Sequence, residues 1–450
     1  MASTYLTRTP SSNGNRRIWT FSAWAKLTGD AQGVLMGAAA DTSNFTRIQF
    51  WGSGDGNRLT VSNRFSGTAK DVTPSRSFRD FSGWYHIVTA VDTTQVTASN
   101  RVKIWINGVQ ETDFQTEDYP DQDSDPYFNN TGYAMVLGNN PAYSHYYNGL
   151  MSHVNFVDGT AYQASDFGDT DATTGEWKIN TAPSVTYGTN GFFLLKDGNS
   201  VTDQSGEGNN FTVGGGTLTA TEDCPSNVFA TLSPNLLKSS NGTISNGNLK
   251  LSVSGAEWNS QISTFGVSKG KFYFEYRIND NGGDRRARWG MVKESVIMNT
   301  VAGQVLCSAN LPSINFKTNG ESSTYGGYGI NTTESNLVSD GDINSDNAVY
   351  GFGIDMDNLK MYGSYNGTWL NSGNPSTGTN GIDISSYITA GTTVFPAFTA
   401  HNSNVECNFG NGYFGTTAIT SEGVNAAGIG KFEYDVPTGF TALSTKGLNE

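Results

Sequence analysis

The chain has 450 residues, more than one ordinary domain holds, so two or three domains are expected. Glycine supplies 54 residues, charged residues are only 15% and aromatics reach 12%, where usual proteins carry ~7% glycine and ~25% charge; this excludes a disordered chain and favours short strands joined by tight turns. The formal charge of −14 repels phosphate, which argues against nucleic acid and against an anionic membrane surface as partners.

No apolar run approaches the roughly 18 residues of a spanning helix, so membrane insertion is not expected. The opening MASTYLTRTPSSNGNRR lacks the apolar centre of a secretory signal. Three distant cysteines, Cys224, Cys307 and Cys407, rule out a disulfide framework and any CxxC metal knuckle. The expectation is free, mostly buried thiols in a chain folded in a reducing cytoplasm.

Along the chain, residues 17–27 (RIWTFSAWAKL) place Trp19, Phe21, Ala23, Ala25 and Leu27 on one face at period two. Residues 83–92 (GWYHIVTAVD) are apolar on both faces, which predicts a central strand covered on each side. Residues 101–108 (RVKIWING) read as a strand, with Asn107-Gly108 supplying the positive-φ pair of a hairpin turn. GFFLLK at 191–196 predicts a buried strand, followed by a turn-rich return at 203–211. Residues 227–240, poor in consecutive apolar positions and flanked by Pro225, read as a linker between domains 1–226 and 241–450.

Beyond it the strand pattern restarts. KFYFEYRI at 271–278 alternates with Phe272, Phe274, Tyr276 and Ile278 inward, and Lys271, Tyr273, Glu275 and Arg277 outward. Residues 348–355 and 359–365 form a hairpin through Met356-Asp357-Asn358, and Pro396 within 392–400 predicts an edge strand or a bulge. The closing residues 431–440 read as a docking strand. No stretch longer than two turns has a 3.6 period, so helices should be short and few. The fold class expected is all-β, two antiparallel β-sandwiches in tandem.

Four segments, 19–27, GWYHIV at 83–88, KIWING at 103–108 and YNGLMSHV at 147–154, resemble in order the framework of laminin-G-like or concanavalin A-like jelly rolls. DQSGEGNNF at 203–211 is similar to the D-x-S-G-x-G-N turn of that family, where it usually opens the domain; its late position implies rearranged strand order or an added hairpin. The second half resembles a SPRY domain through GKFYFE at 270–275, WGMV at 289–292, YGFGID at 350–355, NGTW at 366–369, FPA at 395–397 and NFG at 408–410. The opening LTRTPSSNGNRR, Trp177 and the closing VPTGF at 436–440 resemble virion structural proteins of marine, cyanophage-type tailed bacteriophages, which combine these two folds.

That resemblance implies a virion surface protein, a tail fibre, tail-tip or head appendage. Its partners would be other virion proteins, copies of itself (a trimer in fibres) and a host-surface glycan or protein. Glycan recognition by loops would use aromatic faces beside Asn and Asp. The candidates are Trp51 and Asp55 at 51–57; Tyr127, Tyr143, Tyr146 and Tyr147 among asparagines; and Tyr325, Tyr328 and Trp369 in the second half. Laminin-G-like folds often hold Ca²⁺, for which the candidate ligands are Asp121, Asp123 and Asp125; Pro126 stands where an EF-hand loop needs glycine. A second acidic cluster is Asp340, Asp342 and Asp346.

Enzymatic readings fare worse. Concanavalin A-like glucanases carry Glu-x-Asp-x-x-Glu on one strand, and Glu275 stands alone on its strand. No Gly-x-Ser-x-Gly elbow is placed between a strand and a helix, His86 lies on an apolar strand face, and His145 with His153 would need two strands to form a zinc site. The sequence therefore predicts a non-enzymatic adhesin, with an architectural decoration protein and a carbohydrate-active enzyme as alternatives.

Overall fold

The computed structural model describes residues 3–30, 32–236, 242–255, 258–280, 286–297, 305–318, 326–337 and 343–449. It is all-β and divides into two units, Met1–Ala220 and Thr221–Glu450. The single α-helical turn among the described residues, Glu294–Ile297, is accompanied by short 3-10 turns.

The first unit is a sandwich. One sheet runs in the order Phe114–Glu117, Thr68–Pro74, Leu59–Phe65, Asn44–Phe50, Gly33–Asp41, Met135–Leu137, Tyr5–Arg8, Thr212–Gly215. The facing sheet runs Phe192–Leu194, Gly149–Asp158, Ile18–Leu27, Tyr85–Asp92, Val102–Ile106, Val109–Gln110. Between them pack Trp19, Phe21, Ile87 and Ile104 from one side and Ile48, Phe50 and Val61 from the other. Burying each such side chain stabilises the fold by about 1.5–3 kcal/mol. Asn107 and Gly108 take φ of 49° and 80°, the conformation the hairpin after Val102–Ile106 requires.

Tyr85–Asp92 is central, as its doubly apolar pattern predicts. Its second face, Val88 and Ala90, packs with Trp105, Phe167 and Phe193 in a smaller core. The hairpin Gly168–Thr170 with Trp177–Ile179 brings Trp177 onto this core. An added Cβ at Gly108 or Gly168 would run into the Trp177 ring, so both positions hold glycine for close approach.

The turn at 203–211 is organised by one carboxylate. Asp203 Oδ1 accepts from the Phe193 and Ser205 amides at 2.8 and 2.9 Å, and Oδ2 from Ser205 Oγ and the Asn209 amide at 2.7 and 2.8 Å. The strand that follows, Thr212–Gly215, pairs antiparallel with Tyr5–Arg8. The displaced turn thus adds a strand at the sheet edge beside the first strand of the chain.

The second unit is another two-sheet assembly. One sheet runs Gly242–Ser245, Lys250–Val253, Ser403–Asn408, Lys271–Asp280, Val349–Asp355, Lys360–Tyr365, Thr368–Trp369, with Ile382–Asp383 and Thr441–Ala442 as side branches. The other runs Trp258–Ile262, Val394–His401, Ala287–Lys293, Ser313–Lys317, Gly327–Asn331, Thr333–Asn336. Phe272, Phe274, Tyr276 and Ile278 face the core as expected.

Three expectations are corrected. Residues 227–236 are not a linker: Phe229 and Leu232 are buried, and Ala230 N donates to Leu443 O at 2.9 Å within the second unit. Their apolar residues are few but each enters a core, which a search for consecutive apolar runs overlooks. Residues 237–240 lie outside the described residues. Pro396 sits in an interior strand, between Trp258–Ile262 and Ala287–Lys293; its carbonyl still accepts from Ser263 N at 2.8 Å just past the end of Trp258–Ile262, so only the bond its missing amide would donate is lost. Tyr273 and Glu275 point away from the main core yet are buried, since Phe432, Val436 and Phe440 of the closing segment cover that face.

Candidate functional site

The strand Asn44–Phe50 (NFTRIQF) alternates strictly. Ile48 and Phe50 enter the sandwich core, so Phe45, Arg47 and Gln49 fall on the opposite face. There Arg47 stands opposite Gly37 and Ser62, and Gln49 opposite Val34 and Thr60. An outward arginine on a sheet would ordinarily be solvated. Here it is not: Arg47 is 5% and Gln49 0% exposed.

The cover is the segment 139–147. It is tied down by Val34 N donating to His145 O at 3.2 Å, Tyr147 N to Gly138 O at 2.9 Å and Ala142 N to Asn140 Oδ1 at 2.9 Å. Tyr143 OH donates to Thr42 O. A side chain at Gly37 would press on Asn139 and Asn140, so the glycine lets the segment cross the sheet closely.

Aromatic rings wall the arginine. Its guanidinium carbon lies 4.5 Å from the Phe45 centroid and 5.5 Å from those of Trp51 and Tyr143. His145 stacks on Tyr143 at 5.5 Å and 17°. Burial pushes the Arg47 guanidinium down to about 10, opposed by Asp71, and burial with the nearby Arg47 charge also lowers His145. Asp71 is itself held by Ser62 Oγ at 2.6 Å.

Despite its burial the site leaves polar atoms unanswered. Arg47 Nε and Nη1, both amide atoms of Gln49, Asn139 Oδ1, Asn140 Nδ2 and His145 Nδ1 are buried without a hydrogen-bond partner among the described residues. Buried polar groups in native proteins are overwhelmingly paired, and an orphan costs about 1–3 kcal/mol. This concentration of both donors and acceptors around one guanidinium marks the site.

Of the residues singled out in the sequence, the structure brings Trp51 and Tyr143 together at Arg47. Asp55 is nearby in the chain but exposed, its carbonyl taking the Arg58 Nη1 donor at 2.6 Å. Tyr127 is a bracing residue: its hydroxyl donates to Asn44 Oδ1 at 2.9 Å and its ring meets Phe65 and Tyr133. Tyr146 packs on Tyr5. Tyr147 is buried in the core with its hydroxyl on Lys26 O at 2.9 Å, and burial pushes that hydroxyl up. In the second unit Tyr328 packs on the main core and Trp369 on the small core with Tyr273 and Tyr362. Tyr325, Asp340 and Asp342 lie outside the described residues.

The calcium candidates do not form a ligand set. Asp123 and Asp125 both pair with Arg17, at 3.3 and 2.8 Å, while Asp121 lies 3.5 Å from Lys70. Among the described residues no three His, Cys, Asp or Glu side chains are grouped to hold a metal, so these carboxylates fit arginine and lysine rather than Ca²⁺. His145 and His153 are likewise apart in role: His153 bonds Ser152 Oγ through Nδ1 at 2.7 Å.

His86 and Ser22 stand 2.9 Å apart, both buried. The pair is not an activated nucleophile. His86 Nδ1 accepts the Trp177 indole N–H at 2.9 Å, so Nε2 carries the proton and donates to Ser22 Oγ. Burial holds His86 down to about 3.

Sequence reasoning missed Arg47, Gln49, Asn139 and Asn140 as members of the site. The alternation of NFTRIQF signals the outward row. Nothing local signals that residues 139–147, some ninety positions later, fold back over it.

Residues 2–166 match the family model described as the concanavalin A-like lectin/glucanases superfamily. That match lies within the first unit. Similar solved structures include a native heptameric SAP-like pentraxin from Limulus polyphemus, 14% identical, covering 36% of this chain and 72% of that one with a TM-score of 0.26. The SPRY domain of human HERC1 is 13% identical, with coverages of 39% and 96% and a TM-score of 0.28. A putative carbohydrate binding protein from Bacteroides ovatus is 15% identical, with coverages of 48% and 57% and a TM-score of 0.29. No curated protein matches the chain. The Arg47 enclosure lies within the stretch that this family model matches.

Proposed function

We propose that the chain is a non-enzymatic virion surface protein of a tailed bacteriophage that binds a host-surface glycan through its concanavalin A-like unit. The observation that carries this reading is the Arg47 enclosure: aromatic faces around a set of unpaired donors and acceptors, the chemistry that sugars meet in binding sites. The virion setting is supported by the resemblance of residues 6–17 and 436–440 to phage structural proteins. Binding at each copy would be modest, and display of many copies on a particle would supply avidity. Its partners in this setting are other virion proteins and copies of itself.

The absence of cleavage is supported by the buried carboxylate with the greatest catalytic promise. Glu275 accepts four hydrogen bonds, from Tyr273 OH, Asn408 Nδ2 and the Glu433 and Tyr434 amides, at 2.9 to 3.1 Å. These bonds turn the carboxyl towards its own strand, the adjacent strand and the closing segment, where it holds the chain together. A glycan array probed with the purified full-length chain tests the reading. Selective retention of a subset of glycans is expected; an array with no retained glycan would refute it and favour the decoration role.

A further inference from the structure

The unpaired atoms at the enclosure specify more than a sugar. Arg47 offers two unanswered N–H donors from a positive charge, with Arg64 and His145 close enough to act on or feel that charge. The one carboxylate acting on it, Asp71, is bonded to Ser62. An incoming anion is therefore favoured at Arg47, in a chain whose total charge is −14.

A bare anion answers only half the site. Gln49 Oε1 and Asn139 Oδ1 are acceptors, both buried and unpaired, and sulfate or phosphate has no proton to give them at neutral pH. Hydroxyl groups do. Trp51 and Tyr143, partly exposed beside the guanidinium, suit the C–H face of a pyranose ring, whereas Phe45 is fully buried and only backs the arginine. One ligand class carries a carboxylate, several hydroxyls and an apolar ring face together.

We infer that the Arg47 enclosure receives an acidic sugar, a uronic or sialic type residue, its carboxylate on the Arg47 guanidinium and its hydroxyls on Gln49 and Asn139. This rests on the glycan-binding reading above. Trp51 and Tyr143, both partly exposed, form the edge at which the sugar enters.

The test uses the full chain and an array holding uronate-bearing, sialate-bearing and neutral glycans, followed by calorimetric titration of the best acidic glycan and its methyl ester. The acid is expected to bind, and the ester at least ~30-fold more weakly, since a buried charge-assisted pair is lost. Arg47→Met is expected to lose a similar factor; it removes an unpaired buried charge, so the fold tolerates it. Equal binding of acid and ester, or full affinity in a folded Arg47→Met, overturns the inference. Retention of neutral glycans alone overturns it while leaving the glycan reading intact; no retention at all removes both. A glutamate-rich peptide that competes as well as the sugar acid would reassign the site to acidic peptides.

Discussion

Glu275→Ala is expected to destabilise the second unit by about 3–5 kcal/mol, among the largest effects of any single change in the chain. The carboxyl is fully buried and ties three separate segments together. Tyr273 lies on its own strand, Asn408 on the adjacent strand, and Glu433 and Tyr434 on the closing segment. Alanine would leave the Glu433 and Tyr434 amides without their acceptor, Asn408 Nδ2 keeping only its 2.8 Å bond to Lys431 O, and free the segment that carries Phe432, Val436 and Phe440. Calorimetry of the full chain should show the transition of the second unit falling by roughly 6–20 °C, with the first unit unmoved. A shift below ~1 °C would show that the closing segment is held by its apolar contacts alone.

The same carboxyl gives a pH signature. Burial pushes Glu275 up to about 7, against four donors that favour the ionised form. Because its folded value lies above its ordinary one, the folded state binds the proton more tightly. Its contribution is then fully present below the unfolded carboxylate range, near 4.5, and is lost as pH rises towards 7. Glu275→Gln should flatten this dependence.

The first unit responds in the opposite sense. His86 is held down to about 3, and His153 to about 4, chiefly by burial. Ser22, Trp24 and Trp177 stand around the His86 ring, and none of them carries a negative charge to welcome a proton. The unfolded chain therefore takes up the proton first, near pH 6.5, and stability falls as pH drops from there towards the folded value. Between pH 6.5 and 4 the loss from His86 alone is on the order of 3 kcal/mol. Tryptophan fluorescence reads this directly, since Trp24 and Trp177 stack on the His86 ring at 5.0 and 5.9 Å. A first unit whose melting point is unchanged between pH 6.5 and 4 would contradict a neutral, buried His86.

Much of this fold is legible in the sequence. The period-two rows at 17–27 and 271–278 give the core faces of both sandwiches, and the two apolar faces of 83–92 give a central strand. Asn107-Gly108 marks its hairpin because two positive φ angles demand such residues. What escaped is long-range cover. Glu275 looks outward by alternation and becomes buried only because residues 432–440 arrive from far along the chain. Arg47 looks like an ordinary outward arginine until residues 139–147 close over it. Tyr147 shows the converse: grouped with Tyr127, Tyr143 and Tyr146 it looks exposed, yet its ring is buried and stacks on Phe50. Local pattern reports which face a residue takes, and only the tertiary path reports what lies on that face.

The central claim is that this chain holds an acidic glycan and leaves it whole. Incubating the full-length chain with the best-retained acidic oligosaccharide, and following retained ligand and new reducing ends together, tests it most directly. Stable retention through Arg47 with no new reducing ends is the predicted result. Steady release of reducing ends, or retention unaffected by Arg47→Met, would contradict it.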